Sequence, residues 1–168
     1  MKIVPGLYAI DDWRYNVVGI SNDTETGERC VLSQHLSGGG RNTTFFLVPF
    51  DQFVLGMGKD QRMLQEWNAP RIIESADYRF HDVAPGLYGH FKSKASAYNV
   101  IGPALNIKTG ERFVAYQPLY GEHRYRLRHR LLTMFCERVE KPEYNYSGTR
   151  FFLLDQYPEP HIAAEYQD

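Results

Sequence analysis

Short stretches of strand-forming residues, separated by polar turn residues, recur along the chain, a pattern typical of strands rather than helices. Tyr-Asn-Val-Val-Gly at residues 15–19 and Cys-Val-Leu-Ser-Gln-His-Leu at 30–36 are short and rich in residues that favour strands. Thr-Gly-Glu-Arg at 26–29 separates them and has turn chemistry, because glycine adopts positive φ at low cost. The pattern predicts a mainly β protein built from small antiparallel barrels.

One segment favours a helix instead. Met63, Leu64 and Trp67 are spaced so that they would share one helical face, and Pro70 follows as a stop. We therefore expect one short helix within residues 59–68, either capping a barrel or filling a space between two barrels.

The chain contains an internal repeat. Pro-Gly-Leu-Tyr occurs at residues 5–8 and again at 85–88. Residues 15–36 align without a gap with residues 98–119, and half of the aligned positions are identical. Such self-similarity indicates two divergent copies of one module.

The repeat predicts the domain organisation. We expect a first barrel at residues 1–56, a linker with the short helix at 57–80, a second barrel at 81–155 and an acidic tail at 156–168. Two similar barrels in one chain are also expected to pack about a pseudo-twofold axis, as two subunits do in a homodimer.

The second copy resembles the DUF1653 family. The resemblance rests on Gly-Leu-Tyr-Gly-His-Phe-Lys at 86–92, Tyr-Asn-Val-Ile-Gly at 98–102, Thr-Gly-Glu at 109–111 and Met-Phe at 134–135, in this order. The first copy is similar more distantly, partly through Phe-Leu-Val-Pro-Phe at 46–50. The family consists of small bacterial domains of unknown function, so the resemblance implies an SH3-type barrel in each copy and implies no reaction.

Composition limits the function classes. The chain has 12 Tyr and 10 Phe but only 2 Trp, and such rings can build the core of a small β module from few residues. A net charge of −1 gives no overall attraction to nucleic acid or to a membrane. No apolar run has the length of a signal peptide or membrane span, and Cys30 and Cys136 are too few for a zinc site. We therefore expect a cytoplasmic protein without metal or cofactor.

Four arginines occupy alternate positions near the end of the second copy: Arg124, Arg126, Arg128 and Arg130. If they lie on one strand, all four side chains share a face. Their mutual repulsion then calls for counter-charges or an anionic partner. Tyr116 and Tyr120 would offer stacking surfaces beside this face, and the guanidinium fork suits phosphate and carboxylate groups.

The same row also fits a neutralised surface. Four acidic residues lie close by in sequence and could pair with the arginines: Glu122, Glu137, Glu140 and Glu143. The acidic tail at 156–168 could fold over the row with the same effect.

Two further features have a functional and a structural interpretation. His90 stands at a family position in the first strand of the second copy and could bind or transfer a proton, or it could be a buried structural histidine. The glycine-rich stretch at 37–42 lacks the Gly-Lys-Ser/Thr ending of a phosphate-binding loop, so we interpret it as a flexible connection.

The sequence favours a non-catalytic binding module for a small anionic ligand, a peptide or a partner protein. Its candidate ligand-binding residues are Arg124, Arg126, Arg128, Arg130, Tyr116, Tyr120 and His90. Two alternatives remain open. The arginine face could bind nucleic acid, or the protein could be a small enzyme with His90 or His129 as its acid or base.

Overall fold

The two copies share four strands, a helix and a last strand in the same order, and the second copy has further elements before its last strand. The computed structural model describes residues 3–10, 13–36, 45–58, 64–67 and 83–155. The first copy contains β1 (Gly6–Ile10), β2 (Trp13–Asp23), β3 (Arg29–His35), β4 (Phe45–Pro49), α1 (Phe50–Gly58) and β5 (Leu64–Trp67). The second copy contains β6 (Gly86–His90), β7 (Ser93–Asn106), β8 (Arg112–Pro118), β9 (Arg128–Leu131), α2 (Leu132–Phe135), β10 (Arg138–Lys141), a 3₁₀ helix (Pro142–Tyr144), β11 (Tyr146–Thr149) and β12 (Phe151–Asp155).

Each copy forms an antiparallel five-stranded sheet. The strand order is β5-β1-β2-β3-β4 in the first copy and β12-β6-β7-β8-β9 in the second. A β-bulge interrupts the register of β2 and β3 between Val17 and Gly19, and the equivalent bulge of β7 and β8 lies between Val100 and Gly102. The repeat in the sequence is therefore also a repeat of topology.

The two sheets join into one closed barrel. The long strands β2 and β7 pair with β1 and β6 over their first parts, and their last residues extend into the other copy. There β4 pairs in parallel with β7, which we call the first seam, and β2 pairs in parallel with β9, which we call the second seam. The barrel thus consists of β2, β3, β4, β7, β8 and β9.

The registers of the two seams are equivalent. Leu47 lies opposite Asn106 in the first seam, and His129 lies opposite Asp23 in the second. Leu47 and His129 hold the same position in the repeat, as do Asn106 and Asp23. The seams are therefore related by a pseudo-twofold axis, as expected from the repeat.

The sequence predicted two separate barrels, and the structure does not confirm this arrangement. Each copy contributes only three strands to the barrel, and three strands are too few to close by themselves. Pairing with the other copy satisfies the backbone groups at both seams and removes the open edges.

The apolar residues form three clusters. The barrel interior holds, among others, Val18, Leu32, Leu47, Ile101, Phe113 and Ala115, from strands of both copies. A second cluster belongs to the second copy and includes Val83, Tyr88, Tyr98, Tyr116, Phe135 and Phe151. A third belongs to the first copy and includes Ile3, Tyr8, Val17, Val31 and Phe53. The central barrel therefore carries one smaller core of each copy on its outside.

The prediction of a helix within residues 59–68 is wrong for residues 64–67, the part of this range that the structure describes. Leu64–Trp67 is a strand that pairs with β1, whose backbone offers hydrogen bonds that the spacing of apolar residues does not reveal. The helix of the first copy is α1 instead, directly after β4. Phe50, Phe53 and Val54 have helical spacing and pack in the first copy's core, so this helix had a sequence signal.

Several predicted segments lie outside the described residues. They are the glycine-rich stretch at 37–42, most of the linker at 57–80 and the acidic tail at 156–168. None of the helices in the described ranges has the length and apolar character needed to span a membrane.

Candidate functional site

The four arginines do not share one face. Strand β9 begins only at Arg128, so the four arginines do not lie on one strand. The preceding residues form a turn in which Tyr125 has a φ of 64° and its N–H donates to the Pro118 carbonyl at 2.7 Å. Arg124 and Arg126 are exposed there, and the Arg124 guanidinium lies 4.6 Å from the Tyr125 ring centre.

The side chain of Arg130 contacts the first copy. Its Nη2 atom lies 2.9 Å from Oε1 of Glu25, and its Nε donates to Oγ1 of Thr24 at 3.0 Å. Both partners lie in the turn between β2 and β3. The Arg130 side chain is only 17% exposed. A carboxylate of the other copy therefore neutralises this arginine.

For two of the four acidic residues expected to neutralise the row, the structure shows a partner outside the row. Glu137 pairs with Arg150, and Glu122 lies 3.4 Å from His123. Within the described parts of the chain, neither reaches an arginine of the row. The counter-charge of Arg130 therefore comes from Glu25 of the first copy and not from Glu122 or Glu137.

Aromatic rings surround Arg130 on the side of the second copy. Its Cζ atom lies 5.9 Å from the centre of the Phe151 ring. Tyr98 packs edge-on against Phe151, Tyr116 and Tyr120, with ring centres 5.1, 5.6 and 5.4 Å apart. We call the set of Arg130, His90, Tyr98, Tyr116, Tyr120 and Phe151 the Arg130 cluster.

His90 completes the cluster. Its ring lies 4.9 Å from that of Phe151 and 6.4 Å from that of Tyr98, and the residue is half-buried. Burial, together with the smaller effects of the positive charges of Arg150, Lys92 and Arg130, lowers the pKa of His90 to about 4. The histidine is therefore neutral at neutral pH.

The pKa values of Tyr98 and Tyr116 are raised above that of an ordinary tyrosine. Burial raises the pKa of Tyr98, and its hydrogen bond with the Tyr120 hydroxyl raises it further. Burial also raises the pKa of Tyr116, while the charge of Arg130 opposes that shift. Tyr120 is 39% exposed and connects the buried rings with the surface. The cluster thus offers the Arg130 cation and the neutral hydroxyl groups of Tyr98 and Tyr116.

Four of the seven predicted ligand-binding residues meet in this cluster: Arg130, His90, Tyr116 and Tyr120. Arg128 is half-buried on β9 opposite Tyr116. Sequence reasoning missed Tyr98, whose recurrence as Tyr15 was a usable signal, and it missed Phe151, Thr24 and Glu25. The contact between Thr24 and Arg130 joins residues 106 positions apart, so no local pattern marks it.

His129 lies elsewhere, inside the barrel at the second seam. Its Nδ1 atom is 2.8 Å from Oγ of Ser21, and its Nε2 atom is 3.6 Å from Oδ2 of Asp23. These residue types occur together in hydrolases, but Ser21 is 0% and His129 1% exposed, so a substrate has no access to them. The set joins the two copies and does not form an open site.

The described residues contain no group of three or more His, Cys, Asp or Glu side chains arranged to hold a metal ion.

Comparison with known proteins identifies the second copy. Residues 86–152 match the model of the family described as protein of unknown function DUF1653. The second copy is similar to this family over the matched range. The matched range includes every second-copy residue of the Arg130 cluster, whereas Thr24 and Glu25 lie outside it.

One similar solved structure is described as the crystal structure of a protein belonging to DUF1653 from Bordetella bronchiseptica. It is 29% identical to this chain, covers 45% of this chain and 92% of its own, and superposes with a TM-score of 0.38. No curated protein matches the chain.

Proposed function

We propose that this protein is a non-catalytic binding module and that its second copy binds a small anionic ligand at the Arg130 cluster. One observation carries the proposal: a guanidinium that is 17% exposed stands among aromatic rings at the junction of the copies. Two thiols and no long apolar segment in the sequence fit a cytoplasmic location, which is part of the proposal.

The surroundings of Arg130 favour an anion on electrostatic grounds. A charge interaction is stronger where protein atoms replace water, because the effective dielectric constant is lower. Lys92 and Arg150 add positive potential at His90, on the same side of the cluster. Oxygen atoms of a phosphate or carboxylate group would accept hydrogen bonds from the guanidinium, whose planar fork suits them.

Tyr120 extends the proposed site toward the solvent. Its ring is 39% exposed, and its hydroxyl bonds to that of the buried Tyr98. The buried hydroxyl pair holds the exposed ring in place, so that it can stack on a planar group attached to the anion. The proposed ligand class is therefore a small phosphate or carboxylate compound with a planar part.

The first copy lacks the same chemistry. Val48 stands at the position of Arg130, Ser33 at that of Tyr116 and Ile10 at that of His90. The proposal therefore implies one ligand per chain, which a titration measures directly.

The test combines thermal unfolding with calorimetric titration of the full chain. The probes are inorganic phosphate, nucleoside monophosphates, short oligonucleotides and acidic peptides, each at low and moderate salt. A ligand at about 100 times its Kd adds roughly 2.7 kcal/mol to the free energy of unfolding, which raises Tm visibly. We expect stabilisation by a small anion in wild type and its loss in Arg130→Val, which copies the first seam.

Arg124→Ala is the matched control, since it removes an exposed arginine of the same row. Equal loss in both variants would show that only overall charge matters. Oligonucleotide binding that depends on Arg124 and Arg126, but not on Arg130, would replace the proposal with a nucleic-acid function. The absence of stabilisation by every anion would overturn the anion site and direct the search to partner proteins.

A further inference from the structure

We propose that the Glu25 carboxylate of the first copy acts as a built-in competitor, occupying the anion position at Arg130 until a ligand displaces it. The inference rests on the proposed function and specifies how that site is regulated. It makes ligand binding an exchange of one carboxylate for another anion at the same guanidinium.

The geometry of Glu25 suits a removable counter-ion. Its Oε1 atom lies 2.9 Å from Nη2 of Arg130, yet its side chain is 44% exposed whereas that of Arg130 is 17% exposed. The carboxylate can therefore regain full hydration by rotating outward, while the guanidinium stays in place. Water at the exposed carboxylate screens its charge and weakens the pair, so that another anion can replace it.

The backbone around Glu25 is held independently of its side chain. The N–H groups of Glu25 and Thr26 donate to Oδ1 of Asp23 at 2.8 and 2.7 Å. The equivalent turn of the second copy has the same arrangement around Asn106, although Lys108 replaces Glu25 there. The turn therefore persists when the Glu25 side chain moves away.

The ion pair is not needed to hold the seam together. At the second seam the Thr24 N–H donates to the His129 carbonyl at 3.1 Å. At the first seam the Ile107 N–H donates to the Leu47 carbonyl, also at 3.1 Å. Val48 and Lys108 stand there in place of Arg130 and Glu25, so the same pairing forms without an ion pair. A role in ligand exchange accounts for a carboxylate that strand pairing does not require.

The experiment compares phosphate affinities of full-length variants by calorimetric titration with inorganic phosphate. In Glu25→Gln the competitor is gone and Arg130 remains, so we expect affinity to rise roughly two- to fivefold, the effect of losing one exposed ion pair. Glu25→Lys, which copies the first seam, is a second variant with the same expected direction. Arg130→Val abolishes binding in each background.

Glu28→Gln is the matched control, because Glu28 is an exposed carboxylate of the same turn. A rise of equal size in this control would assign the effect to net charge and overturn the inference. Unchanged or weaker affinity in both Glu25 variants, with Arg130-dependent binding intact, would overturn the competitor role and leave the proposed function standing. No phosphate binding by any variant would overturn the proposed function together with this inference.

Discussion

The Nδ1 atom of His129 in the second copy lies 2.8 Å from Oγ of Ser21 in the first copy, inside the shared barrel. The nearby Asp23 accepts two backbone hydrogen bonds of its own turn. The equivalent positions of the first seam carry Leu47, Ala104 and Asn106. The same backbone pairing therefore supports a polar set at one seam and a largely apolar set at the other.

The seam histidine makes stability depend on pH. Burial lowers the pKa of His129 to about 4, against 6.5 ordinarily, while Asp23 opposes the shift. Between these values the unfolded chain binds a proton that the folded chain does not, so stability is constant above about pH 6.5 and falls as the pH is lowered toward 4. The loss expected from His129 is at most about 3 kcal/mol. Urea unfolding at a series of pH values measures it.

A double variant separates this contribution from others. Ser21→Ala/His129→Leu introduces the residues of the first seam at two of these three positions and leaves the turn bonds of Asp23 intact. We expect unchanged or higher stability at neutral pH, because both polar partners are removed together. We also expect a shallower loss at acid pH, with the remainder partly due to His90, whose pKa is lowered in the same direction. An acid profile identical to that of wild type would contradict the role of His129.

The isolated second copy should not persist as a stable monomer. In a fragment of residues 81–168, β7 would lack β4 and β9 would lack β2, which leaves two open edges and part of the barrel interior exposed. We expect the fragment to form a homodimer through the same two seams, since these are already equivalent in register. Analytical ultracentrifugation with circular dichroism distinguishes this from a folded monomer, which would show that the shared barrel is dispensable.

The two cysteines should differ sharply in reactivity. Cys30 is 0% exposed in the barrel interior, and burial, with smaller contributions from Glu28 and Asp23, raises its pKa to about 11. Cys136 is exposed. A thiol reagent at about pH 8 should therefore modify one thiol of the native protein quickly and the second only after unfolding. Cys136→Ser removes the fast phase. Rapid modification of a second thiol in the native protein would contradict the burial of Cys30 in a closed barrel.

Equivalent turn glycines should respond equally to substitution. Gly27 has a φ of +74° and Gly110 of +73°, and in each case a Cβ atom would meet no other atom within 4 Å. Substitution by alanine at either position should lower the free energy of unfolding by about 1–2 kcal/mol, because of backbone strain alone. Gly56→Ala in α1 is a control with the opposite expected sign, because alanine favours a helix, and it should stabilise the protein by roughly 0.5–1 kcal/mol. Chemical denaturation measures all three, and clearly unequal costs at Gly27 and Gly110 would contradict equivalent turns.

Local features of the fold were predictable from sequence, and contacts between copies were not. The turns at Gly27 and Gly110 follow from local chemistry and stand where they were expected. Residues 64–67 resemble a helix in isolation, but the exposed backbone of β1 makes them a strand. In the candidate site, the alternating arginines made Arg130 predictable as a candidate. The left-handed conformation of Tyr125 and the counter-ion Glu25 were not predictable, because both depend on contacts with residues distant in sequence.

The sequence by itself determined a mainly β chain of two equivalent copies, because turn residues and strand-forming residues act over a few neighbouring positions. Only the tertiary structure decided that the copies share one barrel, because parallel pairing uses backbone groups that every residue possesses and no side chain marks its partner. The bond between Ser21 and His129 spans 108 residues, and the ion pair of Glu25 with Arg130 crosses the same seam. Both depend on which strands meet, and that is a property of the folded chain.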